Sequence, residues 1–391
     1  MDIKLSDRVQ RIKPSPTLAV TAKANALKAA GKDVIGLGAG EPDFDTPEHI
    51  KLAAVDAIQK GMTKYTAVDG TAELKQAIID KFSRDNQLYY QSDQILVSCG
   101  GKQSFFNLAQ ALLNPGDEVI IPAPYWVSYP DMVLLADGQP VIVETSMSNH
   151  FKMTADELAA AITPQTRLVV INSPSNPTGM VYSRAELEAV AQVLRQHTQV
   201  LIATDDMYEH IIWTDEPFVN IANIAPDLLD RTIVLNGVSK AYSMTGWRIG
   251  YAAGPKPLIQ AMKKIQSQST SNPASISQAA AVAALNGSQD CIQEMLTAFK
   301  SRHDRVVSRL NDIEGIHCLP SQGTFYAFPD VSGLIQRLGV SDDVALAELV
   351  LEKTGVALVP GSAFGAAGFI RLSYATSMKL LDSAIDRIAA L

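Results

Sequence analysis

Short aliphatic and β-branched runs recur at residues 95–97, 118–121, 140–143, 168–171, 200–203, 232–235 and 249–253, and the segments between them carry apolar residues at helical spacing. This alternation predicts an α/β unit built on a mainly parallel, seven-stranded sheet covered by helices. Most of the runs end in small, polar or Gly/Pro residues. In such sheets ligands sit outside the carboxyl ends of the strands, so the chemistry is expected there. The last hundred residues read differently: an amphipathic helix over 289–311, strand-like pieces at 324–328, 356–358 and 369–374, and a closing helix from Lys379. They predict a second, smaller α+β unit. The alanine-rich stretch 277–285 is short and periodic, which predicts a packed helix and not a low-complexity segment.

Composition narrows the class. A chain of 391 residues that is 47% hydrophobic and 19% charged can bury a large core, and its length fits two domains. The net charge of -8 and pI near 5.3, with no Lys/Arg run, offer no surface on which a nucleic acid backbone or an anionic membrane would condense. The N-terminus alternates charged and apolar residues, and no later stretch has the length of a bilayer span, so a cytoplasmic protein is expected. Cys99, Cys291 and Cys318 are odd in number and far apart, which fits free thiols and indicates neither a disulfide framework nor a metal site.

Candidate chemistry lies at the strand ends. Lys240 and Arg248 both fall in Gly237-Val238-Ser239-Lys240-Ala241-Tyr242-Ser243-Met244-Thr245-Gly246-Trp247-Arg248. A lysine at a strand end, in a pocket that lowers its pKa, can attack a carbonyl, and an arginine close by can grip a phosphate with two parallel hydrogen bonds. Ser98-Cys99-Gly100-Gly101-Lys102-Gln103 joins a predicted strand to a predicted helix, where glycines let main-chain N–H groups face an anion. Asp205 and Asp206 end the run 200–203, and strand alternation sends them to opposite sides, so Asp206 is expected to be solvated or to cap a helix. Asn172-Ser173-Pro174-Ser175-Asn176-Pro177-Thr178-Gly179 is a rigid turn after another run. Arg371 alternates with apolar neighbours on a predicted strand, an unusual place for a merely solvated cation. The loop Gly36-Leu37-Gly38-Ala39-Gly40 has the wrong glycine spacing for a dinucleotide site, and a proline follows it.

In this order, and from about Arg8 to the C-terminus, these segments resemble the class I/II aminotransferases of fold type I. The resemblance implies pyridoxal 5′-phosphate as cofactor, held through an imine by Lys240, which also serves as the base at the substrate's Cα. It implies Asp205 against the ring nitrogen and Tyr208, three residues on, as donor to the ring hydroxyl. Asn176 then lies between that oxygen and the substrate carboxylate, and Trp126 covers a ring face. The main-chain N–H groups of Gly101 and Lys102, with Ser239 and Arg248, would hold the phosphate, although the family often has a second hydroxyl where this chain has Gly237. Arg371 and the Gly40 main chain would take the substrate's α-carboxylate. Tyr65 would reach the phosphate of a neighbouring subunit, which implies a homodimer with shared active sites.

The expected division is a large cofactor-binding domain over 46–288 and a small domain made of 1–45 and 289–391. The implied reaction is ping-pong transfer of an amino group between an L-amino acid and a 2-oxo acid. The resemblance is greatest to the branch acting on aspartate and glutamate. Prephenate or aromatic amino acids are the alternative substrates, and carbon–sulfur bond cleavage is the alternative reaction on the same fold. No residue pattern marks the cation for a second substrate carboxylate; Lys102 is the first candidate and Lys13 the second.

Overall fold

The computed structural model describes residues 3–391. In chain order its strands are β1 (Ile35–Gly36), β2 (Ile95–Ser98), β3 (Glu118–Ala123), β4 (Gln139–Glu144), β5 (Thr166–Asn172), β6 (Leu201–Asp205), β7 (Thr232–Gly237), β8 (Gly250–Ala253), β9 (Tyr326–Ala327), β10 (Val356–Ala357), β11 (Val359–Pro360) and β12 (Ile370–Ser373). The sheet at the centre has the seven strands that the sequence pattern predicts, in the order β2-β8-β7-β6-β5-β3-β4. Every pairing in it is parallel except the two made by β8, which runs against β2 and β7.

Helices cover both faces, which explains the nearly continuous apolar runs: β2, β7 and β8 are buried at every position, whereas the edge strand β4 is not. One core layer joins Val97, Val234 and Tyr251 to the helices Ala72–Lys81 and Ser275–Asn286, the second of these being the predicted alanine-rich helix. On the other face Leu96, Leu168 and Leu235 meet the helices Gly101–Leu112 and Lys256–Ser267.

The C-terminal part differs in detail from its sequence reading. The stretch 356–358 is not one strand: β10 pairs with β1, while β11 pairs with β12, so Leu358 marks a change of sheet. Only two residues of 324–328 pair as a strand, β9 against β12. The helix Asp290–Asn311 buries Met295, Phe299, Val306 and Leu310 on the stripe that its periodicity predicts. Ile35 and Leu37 share a core cluster with Phe325, Leu358 and Leu372, so the chain just before residue 45 packs with the C-terminal elements.

Candidate active site

The reversed strand β8 explains how one linear motif serves one site. Its first residue, Gly250, lies opposite Ser98 at the end of β2 and opposite Gly237 at the end of β7. Lys240, leaving β7, and Arg248, entering β8, are therefore brought to the same edge of the sheet as the loop after β2. Asp205 ends β6, Asn176 follows β5 and Trp126 follows β3, so five strand ends converge there. They enclose a cavity of about 350 Å³ whose lining includes Gly40, Gly101, Lys102, Trp126, Asn176, Asp205, Tyr208, Ser239, Lys240, Arg248 and Arg371.

Lys240 donates from Nζ to the Gly40 carbonyl at 2.5 Å. Burial lowers its pKa to about 8; Arg371 and Arg248 push the same way, against Glu41 and Asp205. The amine thus reaches its neutral, nucleophilic form far more readily than a solvated lysine. Burial raises the pKa of Asp205, opposed by the Tyr129 hydroxyl, the Met207 N–H and Lys240. Tyr129 donates to Asp205 Oδ2 at 2.5 Å, and Asn172 Nδ2 donates to the Asp205 carbonyl at 3.0 Å. A carboxylate fixed in this way and short of positive partners suits a protonated ring nitrogen.

Asp206 is placed differently from its sequence expectation. It does face away from Asp205, but that side of the sheet is also covered, and Asp206 is 0% exposed. It accepts from Thr204 Oγ1 and Asn220 Nδ2, both at 2.6 Å. Burial, then Glu209, push its carboxyl up to about 7. Nearby Glu209 is ion-paired with buried Lys81 and also accepts from Asn86 and Asn236. Burial would raise the Glu209 carboxyl, yet Lys81 and His210 hold it down at about 2.

The loop after β2 forms an anion cradle. Gly100, at φ +89°, has the left-handed backbone that favours glycine, and a Cβ there would stand 2.4 Å from Arg248 Nη2. Helix Gly101–Leu112 begins at once, so the N–H groups of Gly101 and Lys102 at its start have no helical acceptor, and both residues line the cavity with Ser239 and Arg248. Gly237 is also accounted for: a side chain there would meet the Ile249 carbonyl at 3.0 Å, which leaves Ser239 as the buried serine of the segment. Lys102 Nζ lies 5.3 Å from the centre of the Trp126 ring, and its pKa is lowered by burial and then by Arg248.

Arg371 is only 2% exposed. It donates from Nη1 to Asn176 Oδ1 at 2.9 Å and from Nη2 to the Gly38 carbonyl at 2.7 Å, and its Nε is buried without a partner. Among the described residues no carboxylate pairs with Arg371, Lys102 or Arg248. An arginine this deep, with an unused donor and no counter-ion, is prepared for an anion from outside. The glycine cradle, the waiting carboxylate Asp205, the softened lysine and this donor set fit pyridoxal 5′-phosphate together with a carboxylate-bearing substrate.

Two of the residues singled out from sequence lie elsewhere. Tyr65 is 92% exposed in a shallow groove with Lys64, Thr270 and Asn272. Lys13 is exposed outside the cavity, its main-chain N–H on Asp131 Oδ1 at 3.3 Å, and it is Ser15, Thr17 and Leu18 of the same segment that reach the lining. Sequence reasoning missed Tyr129, Asn172 and Tyr326. Asn172 was open to notice: it ends a strand beside the Asn176 turn, and its Oδ1 accepts the Asn176 N–H at 2.9 Å. The two tyrosines lie in apolar surroundings and read as core.

The fold and the site define a class of protein, and comparison with known proteins agrees. The family model for aminotransferase class I and II matches residues 32–388, and this chain belongs to that family, whose members depend on pyridoxal 5′-phosphate. It is 62% identical over 395 aligned positions to the aspartate/prephenate aminotransferase of Nitrosomonas europaea, covering all of both chains. It is 52% identical to an aspartate aminotransferase of Rhizobium meliloti, over 98% of this chain and 95% of the relative. Among solved structures, the aspartate aminotransferase of Rhizobium meliloti superposes with a TM-score of 0.95 at 51% identity, covering 100% of this chain and 98% of the other. The Thermus thermophilus aspartate aminotransferase with maleate superposes at 0.94 with 43% identity, covering 100% of both. The architecture is fold type I.

Proposed function

We propose that this chain exchanges the amino group of aspartate or glutamate with 2-oxoglutarate or oxaloacetate, and that prephenate is a further acceptor. One observation carries the reading: Arg371, Lys102 and Arg248 line the cavity of the neutralisable Lys240 with no carboxylate of their own, one cation for each of a cofactor phosphate and two substrate carboxylates. Prephenate, itself a dicarboxylate, fits the same charge count, and the name of the Nitrosomonas europaea relative supports it.

When bound, pyridoxal 5′-phosphate supplies a carbonyl to take up the amino group and a protonated ring to draw electrons from Cα. In the proposed assignment Gly101, Lys102, Ser239 and Arg248 hold its phosphate, Asp205 its ring nitrogen, Tyr208 and Asn176 its ring oxygen, and Trp126 one face. Arg371, Asn176 and the Gly40 main chain orient the α-carboxylate, which fixes the direction of the Cα–H bond. Lys240 Nζ, neutral above about pH 8, accepts that proton and gives it back on the cofactor side.

Lys102 is the cation assigned to the second carboxylate. Losing one charge-assisted contact is worth about 1.5–3 kcal/mol, so Lys102→Ala is expected to cut kcat/KM for aspartate and glutamate roughly ten- to a hundredfold while sparing alanine. Steady-state rates over a panel of donors against 2-oxoglutarate, oxaloacetate and prephenate check both points. An equal loss for all donors would return Lys102 to the phosphate alone and move the assignment to Lys13, and an inactive panel would end the proposal.

The proposal includes a homodimer in the cytoplasm and the division of the chain into 46–288 and 1–45 with 289–391. In support of the dimer, Leu52, Val55, Ile58 and Met62 expose an apolar stripe running from helix Glu48–Gln59 to the exposed Tyr65, a surface that a second copy would cover. The partner subunit's Tyr65 would then complete each phosphate site. Reassociating Lys240→Ala with Tyr65→Ala subunits is expected to give hybrids with one intact site and to recover about half the activity per hybrid dimer. Recovery of none would sink the sharing.

A further inference from the structure

We propose that Tyr326 is a positioning residue that joins the carboxylate clamp Arg371 to Tyr208, the hydroxyl on the cofactor side; this rests on the reading of the site given above. Tyr326 sits on β9, directly opposite Ser373 of β12, the strand that carries Arg371 two residues earlier. The clamp and the tyrosine are thus borne by one small sheet. The Arg371 guanidinium carbon lies 4.5 Å from the centre of the Tyr326 ring, and Tyr326 itself is 0% exposed. A cation against a ring face in a dry site is a favourable contact, so the ring supports the guanidinium from the side where no carboxylate does.

The hydroxyl has a different task. Tyr326 and Tyr208 hydroxyls lie 2.9 Å apart, and both rings line the cavity. A tyrosine hydroxyl owns one proton. If Tyr208 spends its proton on an acceptor in the cavity, the bond between the two tyrosines must be filled by the Tyr326 proton. The order of donation is then Tyr326 to Tyr208 and Tyr208 into the cavity, and each bond in such a chain polarises the next. The Arg371 cation at the Tyr326 ring strengthens this donor, so the clamp and the cofactor-side hydroxyl are electrically linked through one side chain.

Two substitutions separate ring from hydroxyl. Tyr326→Phe keeps the ring beside Arg371 and removes the proton; Tyr326→Leu removes both. The readouts are the pH midpoint of the bound cofactor's absorbance and the dissociation constant of maleate, an unreactive dicarboxylate, measured on the full-length protein loaded with pyridoxal 5′-phosphate. In both variants the midpoint is expected to move by roughly 0.3–1 pH unit, about two- to tenfold in proton affinity. Maleate affinity should stay within about twofold in Tyr326→Phe and fall roughly three- to tenfold in Tyr326→Leu. A midpoint unmoved in Tyr326→Phe overturns the proposal, and so does equal loss of maleate binding in the two variants. If Tyr326→Leu fails to fold, the Tyr326→Phe midpoint alone decides. Absence of any Lys240-dependent cofactor absorbance in the unsubstituted chain, judged against Lys240→Ala, would instead overturn the reading of the site and this inference with it.

Discussion

Lys240→Ala is expected to lower turnover by about four orders of magnitude or more and to abolish the absorbance of covalently held cofactor, because a single side chain supplies both the nucleophile and the Cα base. The fold should survive: the Lys240 side chain makes one hydrogen bond, to the Gly40 carbonyl, and no ion pair ties it to the core. Spectroscopy and circular dichroism on the same sample check the two halves of the claim. The cavity also sets a pH dependence. A lysine lowered to about 8 becomes neutral above that value, so covalent uptake of pyridoxal 5′-phosphate by cofactor-free protein should accelerate as pH rises through about 8 and then level off. Acceleration that continues toward the ordinary value of 10.5 would show that the surroundings do not tune this amine.

Asp205→Ala and Asp206→Ala should differ most in their effect on the reaction. Removing Asp205 takes away the carboxylate that faces the cavity and should slow Cα proton removal roughly 10²–10³-fold, and it also strands the buried Tyr129 hydroxyl, a loss of about 1–3 kcal/mol of stability. Removing Asp206 leaves Asn220 Nδ2 and the Thr204 hydroxyl buried without their acceptor, a loss of about 1–3 kcal/mol of stability, with a smaller effect on the reaction. The Asp206 effect should itself depend on pH. Its carboxyl is raised in the folded protein, so the native state loses stability as pH climbs from 3.8 toward about 7 and levels off above; Asp206→Ala escapes that loss. The variant should therefore be most harmful near pH 5 and less so near pH 8. Stopped-flow rates and thermal melts at both pH values decide, and a stable, slow Asp206→Ala beside an active Asp205→Ala would reverse the assignment.

These two carboxylates show how far sequence reading reaches. Alternation along β6 does separate Asp205 from Asp206, and the order of motifs brings Asn176, Asp205, Lys240 and Arg248 into one cavity. The environment of Asp206 was not legible, because alternation says which side a residue takes and not whether helices cover that side, as they do on both faces here. Tyr129 and Tyr326 were hidden for a related reason. Neither stands in a motif, and only tertiary packing puts the hydroxyl of one on Asp205 and that of the other on Tyr208. The break at Leu358 that separates β10 from β11 follows from pairing with distant strands, which local pattern does not encode.

The reversed direction of β8 bears on how such a protein can change. Lys240 and Arg248 are set by one continuous stretch that leaves β7 and returns antiparallel beside it, so their spacing is a matter of loop length. The distance from Lys240 to Arg371 is instead set by how β12 and its neighbours rest against the central sheet, with nothing covalent between them on that scale. Small adjustments in that packing alter the grip on a substrate while leaving the Ser239 and Arg248 side of the cavity, where the cofactor phosphate is assigned, untouched. Anchorage of the phosphate and preference among substrates are thus mechanically separable, and a lineage built on this frame can diversify in one without forfeiting the other.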